Sequence, residues 1–127
     1  MADSPKSLQV FIVEDSRLLR DRLDAAVLAA GGIVVGHSEA ANDAIADLAT
    51  VQPDLVIIDI QLRSGTGFDV LGALQTEGRG RSPTKVVLTN HASAEYRSRC
   101  FQLGADAFFD KSSETSQLFE LIHQLAA

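Results

Sequence analysis

Glu14 and Asp15 are adjacent carboxylic acids at the end of an aliphatic run. Asp59 closes a second such run, Thr89 a third, and Lys111 follows a fourth. Taken singly, each has an ordinary reading: a helix cap, a β-former, a solvated charge. Gathered at one place, they would behave differently. Two carboxylates ~4 Å apart repel by roughly 4 kcal/mol at an effective dielectric near 20. Protonation, the Lys111 ammonium or a bound cation would have to offset that repulsion. An oxygen-only donor set suits Mg²⁺, which favours a few carboxylates together with a phosphate oxygen. A carboxylate can also act as a nucleophile and become an acyl phosphate. A cation, a lysine and a hydroxyl would then surround the oxygens of the transferring group. The combination points to phosphoryl chemistry.

Such a site requires elements that bring distant positions to one rim. Short Val-, Ile- and Phe-rich runs at Leu8–Val13, Ile33–Val35, Leu55–Asp59, Lys85–Thr89 and Ala107–Phe109 read as buried strands. Amphipathic stretches follow them at 17–30, 41–51, 67–77, 94–103 and 114–126. In the first, Leu18, Leu19, Leu23, Ala26, Val27 and Ala30 are expected on one face. Ser16 and Ser93 stand where N-caps are expected, and Asn42 near another. Gly31-Gly32, Pro53 and Gly104 mark helix ends. Five strand–helix units with right-handed crossovers predict an α/β doubly wound, flavodoxin-like (βα)5 sandwich. Its five-stranded parallel sheet would run in the order 2-1-3-4-5. In such a sheet the carboxyl ends of the strands share one edge, and chemistry occurs there.

Length and composition agree with one domain. The 127 residues are 46% hydrophobic and 22% charged, with a net charge of −6. These values exclude a disordered or fibrous chain, and the acidic balance makes the chain a poor nucleic-acid binder. No apolar run approaches the ~20 residues of a membrane helix. Cys100 is the single cysteine, so neither an internal disulfide nor a multi-cysteine metal site can form. The N-terminus lacks the basic start and apolar stretch of a secretory signal. A cytoplasmic protein is expected, with residues 1–7 a polar tail and 8–127 the folded domain.

The motifs Val-Glu-Asp (13–15), Pro-Asp-Leu-Val-Ile-Ile-Asp (53–59), Gly67, Leu-Thr (88–89) and Gly-Ala-Asp-Ala-Phe-Phe-Asp-Lys (104–111) occur in this order. In that order and spacing, the sequence resembles the receiver domain of two-component response regulators. The resemblance covers about Leu8 to Leu125. It implies that Asp59 accepts a phosphoryl group from a histidine kinase or phosphotransfer protein. It assigns Mg²⁺ to Glu14, Asp15 and Asp59 and to the backbone carbonyl of Gln61. Thr89 and Lys111 would bond the phosphoryl oxygens. Thr89 and Phe108 would form the switch that alters the surface of the fourth helix, fifth strand and fifth helix for a downstream protein target or a homodimer. The protein would catalyse only its own phosphorylation and dephosphorylation. Because the chain ends with its last helix, a stand-alone receiver is expected.

Four positions depart from the family pattern. Arg63 and Ser112 stand where proline is common, Phe108 where tyrosine is common, and Glu14 where aspartate is common. The 111–112 peptide bond is left open between cis and trans. Two other readings of the residues compete. One is an interaction module of the same fold that does not depend on phosphorylation. The other is an aspartyl phosphatase, against which stands Gln61, where such enzymes carry a second aspartate as acid–base. His91, two residues after Thr89, is a candidate for controlling water access to an acyl phosphate. Cys100 reads as a small core hydrophobe. His37 and His123 form no metal motif.

Overall fold

A computed structural model describes residues 7–76 and 82–127; most of the expected tail and the end of the third helical stretch lie outside them. Five strands alternate with five helices: β1 (Gln9–Val13), α1 (Arg17–Ala29), β2 (Ile33–Ser38), α2 (Ala41–Thr50), β3 (Leu55–Ile58), α3 (Gly67–Thr76), β4 (Thr84–Thr89), α4 (Ala94–Gln102), β5 (Ala107–Asp110) and α5 (Thr115–Ala126). The strand order is β2-β1-β3-β4-β5, and every pairing is parallel. This is the doubly wound sheet expected from the alternation of textures.

Strand composition follows from burial on both faces. Val10, Ile12, Leu55, Ile57, Val86 and Leu88 pack with Leu23 and Val27 of α1 and Leu118 and Ile122 of α5. The alternate residues Phe11, Val13, Val56, Ile58 and Val87 pack with Ala44 and Leu48 of α2, Leu71 and Leu74 of α3 and Cys100 of α4. Successive strand residues point to opposite faces, so a sheet covered on both sides needs apolar side chains at every position. β2 lies at the edge and extends beyond the expected Ile33–Val35 to Ser38, with an irregularity of register opposite Val10 and Phe11.

Local signals behave unevenly. Ser16 caps α1 by accepting from the Leu19 amide, and Ser93 caps α4 by accepting from the Tyr96 amide. Gly31 and Gly104 take positive φ just past their helices. Asn42 is not a cap. Ala40 occupies that position without a side-chain bond, and Asn42 lies inside the first turn of α2. Leu18 is not a core residue either, being 73% exposed. At 100° per residue, the row Leu19–Leu23–Val27 turns to the sheet and carries Leu18 outward. No described peptide bond is cis, so the 111–112 bond is trans.

Candidate functional site

The sheet register delivers Glu14, Asp59 and Lys111 to one rim. The backbone amide of Glu14 donates to the Ser38 carbonyl and that of Asp59 to the Val13 carbonyl, each at 2.9 Å. The Lys111 amide donates to the Thr89 carbonyl at 3.0 Å. Each acid-bearing or lysine-bearing turn is thus tied to the adjoining strand end. Gly67 opens α3 beneath Asp59: a Cβ there would land on the Asp59 carbonyl oxygen, so no larger residue fits without moving the turn.

At the centre, Lys111 Nζ donates to Asp59 Oδ2 at 2.7 Å and pairs with Glu14 Oε1 at 2.9 Å. The other oxygen of Glu14 accepts from the Ser16 amide at 2.9 Å. Ser16 therefore has two tasks, capping α1 and holding an acid; the cap signal disclosed only the first. Glu14 and Asp59 are buried, and Asp15 stands exposed at the mouth. Carboxylate oxygens of these three residues all lie within 4.8 Å of one another. Asp59 Oδ1 is buried and, among the described residues, has no hydrogen-bond partner. Leaving such an atom unsatisfied costs on the order of 1–3 kcal/mol.

The electrostatics follow from this crowding. Burial pushes the Glu14 carboxyl above its usual value, with Asp59 adding to the rise, while bonds from Lys111 and the Ser16 amide oppose it. Burial also works against the charge on Lys111, but the Asp59 and Glu14 carboxylates outweigh it and hold the ammonium above its ordinary pKa.

Glu14, Asp15, Ser16, Asp59, Gln61, Asn90, His91 and Lys111 line an open hollow of about 240 Å³. Gln61 is exposed at its rim, and so is His91. Thr89 is fully buried beside the hollow without lining it, and its hydroxyl accepts from the His91 amide at 3.1 Å. Phe108 is 5% exposed and already packed inward, with the Arg97 guanidinium 5.6 Å from its ring centroid and 5.4 Å from that of Phe101. Asn90 carries no motif that singles it out in the sequence, although it extends a strand that ends at this rim.

The profile of the response regulator receiver domain matches residues 10–123. The chain belongs to the response regulator receiver family. Among curated proteins, the receiver is 30% identical over 122 residues to protein-glutamate methylesterase/protein-glutamine glutaminase 2 of Anaeromyxobacter dehalogenans, covering 94% of this chain and 35% of that one. It is 31% identical over 119 residues to the transcriptional regulatory protein BtsR of Salmonella typhi, covering 93% and 48%. The receiver thus spans about a third to a half of the length of these relatives. Among solved structures it resembles a DNA-binding response regulator of the LuxR family from Staphylococcus aureus, with TM-score 0.82, 21% identity and coverage of 94% and 99%. It also resembles the receiver domain of a sensor histidine kinase from Pseudomonas aeruginosa, solved with a magnesium ion in its active-site cleft, with TM-score 0.79, 18% identity and coverage of 94% and 97%. These two likenesses carry the fold. Among the described residues, no helix is long and apolar enough to cross a membrane.

Proposed function

We propose that this receiver takes a phosphoryl group onto Asp59 from the phosphohistidine of a sensor kinase or phosphotransfer protein. The observation that carries the reading is the divided state of the Asp59 carboxylate. Lys111 holds Oδ2, whereas Oδ1 is buried in the acid cluster with its lone pairs unengaged. An aspartate oxygen attacks phosphorus, the P–N bond breaks, and the imidazole leaves with the bonding electrons. Water later attacks phosphorus and restores the carboxylate.

The donor set fits Mg²⁺: three carboxylates, oxygen ligands only, and a buried oxygen awaiting a partner. Glu14, Asp15, Asp59 and the backbone carbonyl of Gln61 would hold it. When bound, it neutralises charge building on the oxygens of the transferred group. Lys111 would bond those same oxygens through the ammonium that the Asp59 and Glu14 carboxylates hold above its ordinary pKa. Gln61 offers no acid–base group, which disfavours turnover of free phosphoesters.

The new acceptor oxygens would draw the Thr89 hydroxyl away from the His91 amide. That movement opens space toward Phe108 and stabilises the inward ring already present, changing the α4–β5–α5 surface offered to a downstream protein. His91, at the rim, would control water access and hence the lifetime of the acyl phosphate.

The test is incubation with acetyl phosphate or phosphoramidate and Mg²⁺, followed by intact-mass analysis. One phosphoryl adduct is expected, lost with EDTA and in Asp59→Asn. A wild-type chain that gains no adduct overturns the proposal. Timing the decay in His91→Ala checks the access role, which an unchanged rate removes.

A further inference from the structure

The acids come from two loops, 14–16 after β1 and 59–66 after β3, and a third loop joins them. Arg20 Nη1 donates to the Glu14 carbonyl at 3.1 Å and pairs with Glu39 Oε2 at 3.0 Å. Glu39 Oε1 accepts from Arg63 Nη1 at 3.5 Å. The Glu39 carbonyl accepts from the Arg63 amide at 2.9 Å, and the Ser64 carbonyl accepts from the Ala41 amide at 2.9 Å. Glu39 thus grips the β3–α3 loop with its backbone and its carboxylate. The same carboxylate reaches the β1–α1 loop through Arg20. These three side chains line a separate cleft beside α2 and do not enter the hollow.

We propose that Arg20 and Glu39 are positioning residues that set the spacing between the two acid-bearing loops. Arg63 contributes by hydrogen bonding and charge at a position where the chain has no proline to stiffen it. The inference rests on the reading of Glu14, Asp15 and Asp59 as a Mg²⁺ site. Its physical reason is repulsion: among the described residues, Lys111 pairs with Glu14 and Asp59 but not with Asp15, and a tie outside the cluster opposes the like charge that remains between the two loops. A site of this kind tolerates only about 0.5 Å of misplacement. Partly exposed ion pairs add little to global stability. Partners that orient metal-holding groups commonly change affinity ~10–100-fold. Loss of the tie should therefore show in cation binding before it shows in melting.

The test is a Mg²⁺ titration without any phosphodonor, following the amide resonances of Asp15 and Asp59 by NMR. Arg20→Ala and Glu39→Ala should weaken binding by about 10-fold, at the low end of that range because the network is partly exposed. Arg20→Lys, which keeps the charge but one donor direction, should fall between Arg20→Ala and wild type. Thermal midpoints in EDTA should stay close to wild type in all three. Affinities within about twofold of wild type in the Ala variants overturn the inference while leaving the metal site standing. If Arg20→Ala fails to fold, Glu39→Ala and Arg20→Lys decide by the same criterion. A wild-type chain whose resonances ignore tens of millimolar Mg²⁺ overturns the metal reading, and this inference with it.

Discussion

Replacing Lys111 by Met removes a cation and leaves two buried acids facing each other. Lys111 Nζ stands 2.7 Å from Asp59 Oδ2 and 2.9 Å from Glu14 Oε1, and the three side chains are 15%, 6% and 3% exposed. The gross attraction at such a distance is about 6 kcal/mol per contact at an effective dielectric near 20, and desolvation cancels most of it. Removing one partner of a buried pair typically costs ~3–5 kcal/mol. Because Lys111 retains some solvent, the lower figure applies, about 3 kcal/mol. For a chain of this length that is roughly a 10 °C fall in melting temperature. The pH dependence has a definite sign. The folded pKa of Glu14 lies above its unfolded value of 4.5. Its protonation therefore favours the folded state, and that contribution fades as pH rises through the folded pKa. Without Lys111 the fading is larger, so the deficit of K111M grows from mildly acidic pH to about pH 8. Mg²⁺ should repair it, by about 2.7 kcal/mol at roughly 100 times the dissociation constant. A second change, Asp59→Asn, should recover at least ~1 kcal/mol in the K111M background by removing the uncompensated charge. Urea unfolding by circular dichroism at about pH 5.5 and about pH 8, in EDTA and in Mg²⁺, measures all four effects. A K111M loss below about 1 kcal/mol in EDTA at the higher pH, with no recovery on adding Asp59→Asn, would refute the electrostatic account.

Four further outcomes are expected. The ammonium of Lys111 is held above its ordinary value of 10.5, so its stabilisation is complete below that pH and lost as pH climbs through the folded pKa; the gap between wild type and K111M in urea midpoint should narrow at that alkaline end. Gly67→Ala forces a methyl against the Asp59 carbonyl oxygen and should cost ~1–3 kcal/mol while slowing phosphoryl uptake, both read from melts and adduct formation. Cys100 is fully buried with its thiol pushed up to about 11 by desolvation, so a disulfide reagent at about pH 8 should modify it only at the rate of unfolding. Arg97→Ala removes the cation over the Phe108 and Phe101 rings, worth ~0.5–1 kcal/mol for each contact, and should broaden or split the Phe108 ring signals in NMR; sharp, unshifted signals would count against it.

The strand ends are readable because a parallel sheet converts sequence position into spatial position. Asp59 and Lys111 follow aliphatic runs, and the register carries both to one rim. Ser16 and Ser93 are readable as caps because hydroxyl-to-amide bonding is local. Asn42 misleads because α2 starts two residues earlier than its cap role requires, after Ala40, whose backbone bridges to Ser64 across the fold. Leu18 misleads because leucine is a helix former wherever it sits, and only the phase of α1 against the sheet decides which leucines face inward. The hydroxyl direction of Thr89 and the inward placement of Phe108 depend on neighbours from other strands. The Arg20–Glu39–Arg63 chain leaves no local trace: it joins three loops, and surface charges of both signs are common enough that their pairing emerges only from coordinates.

The irregularity in the outermost strand has its own consequence. Val10 stands opposite Val34 and Phe11 opposite Gly36, so Val35 is an unpaired extra residue in β2. Deleting Val35 would regularise the ladder and leave the core nearly intact. The pairs beyond it, from Phe11–Gly36 to Val13–Ser38, would keep their partners, so the turn after β2 would stay in place and Glu39 would remain beside both arginines. The outer strand thus absorbs its extra residue before its carboxyl end, and the pairs beyond the bulge fix where the Glu39 turn begins.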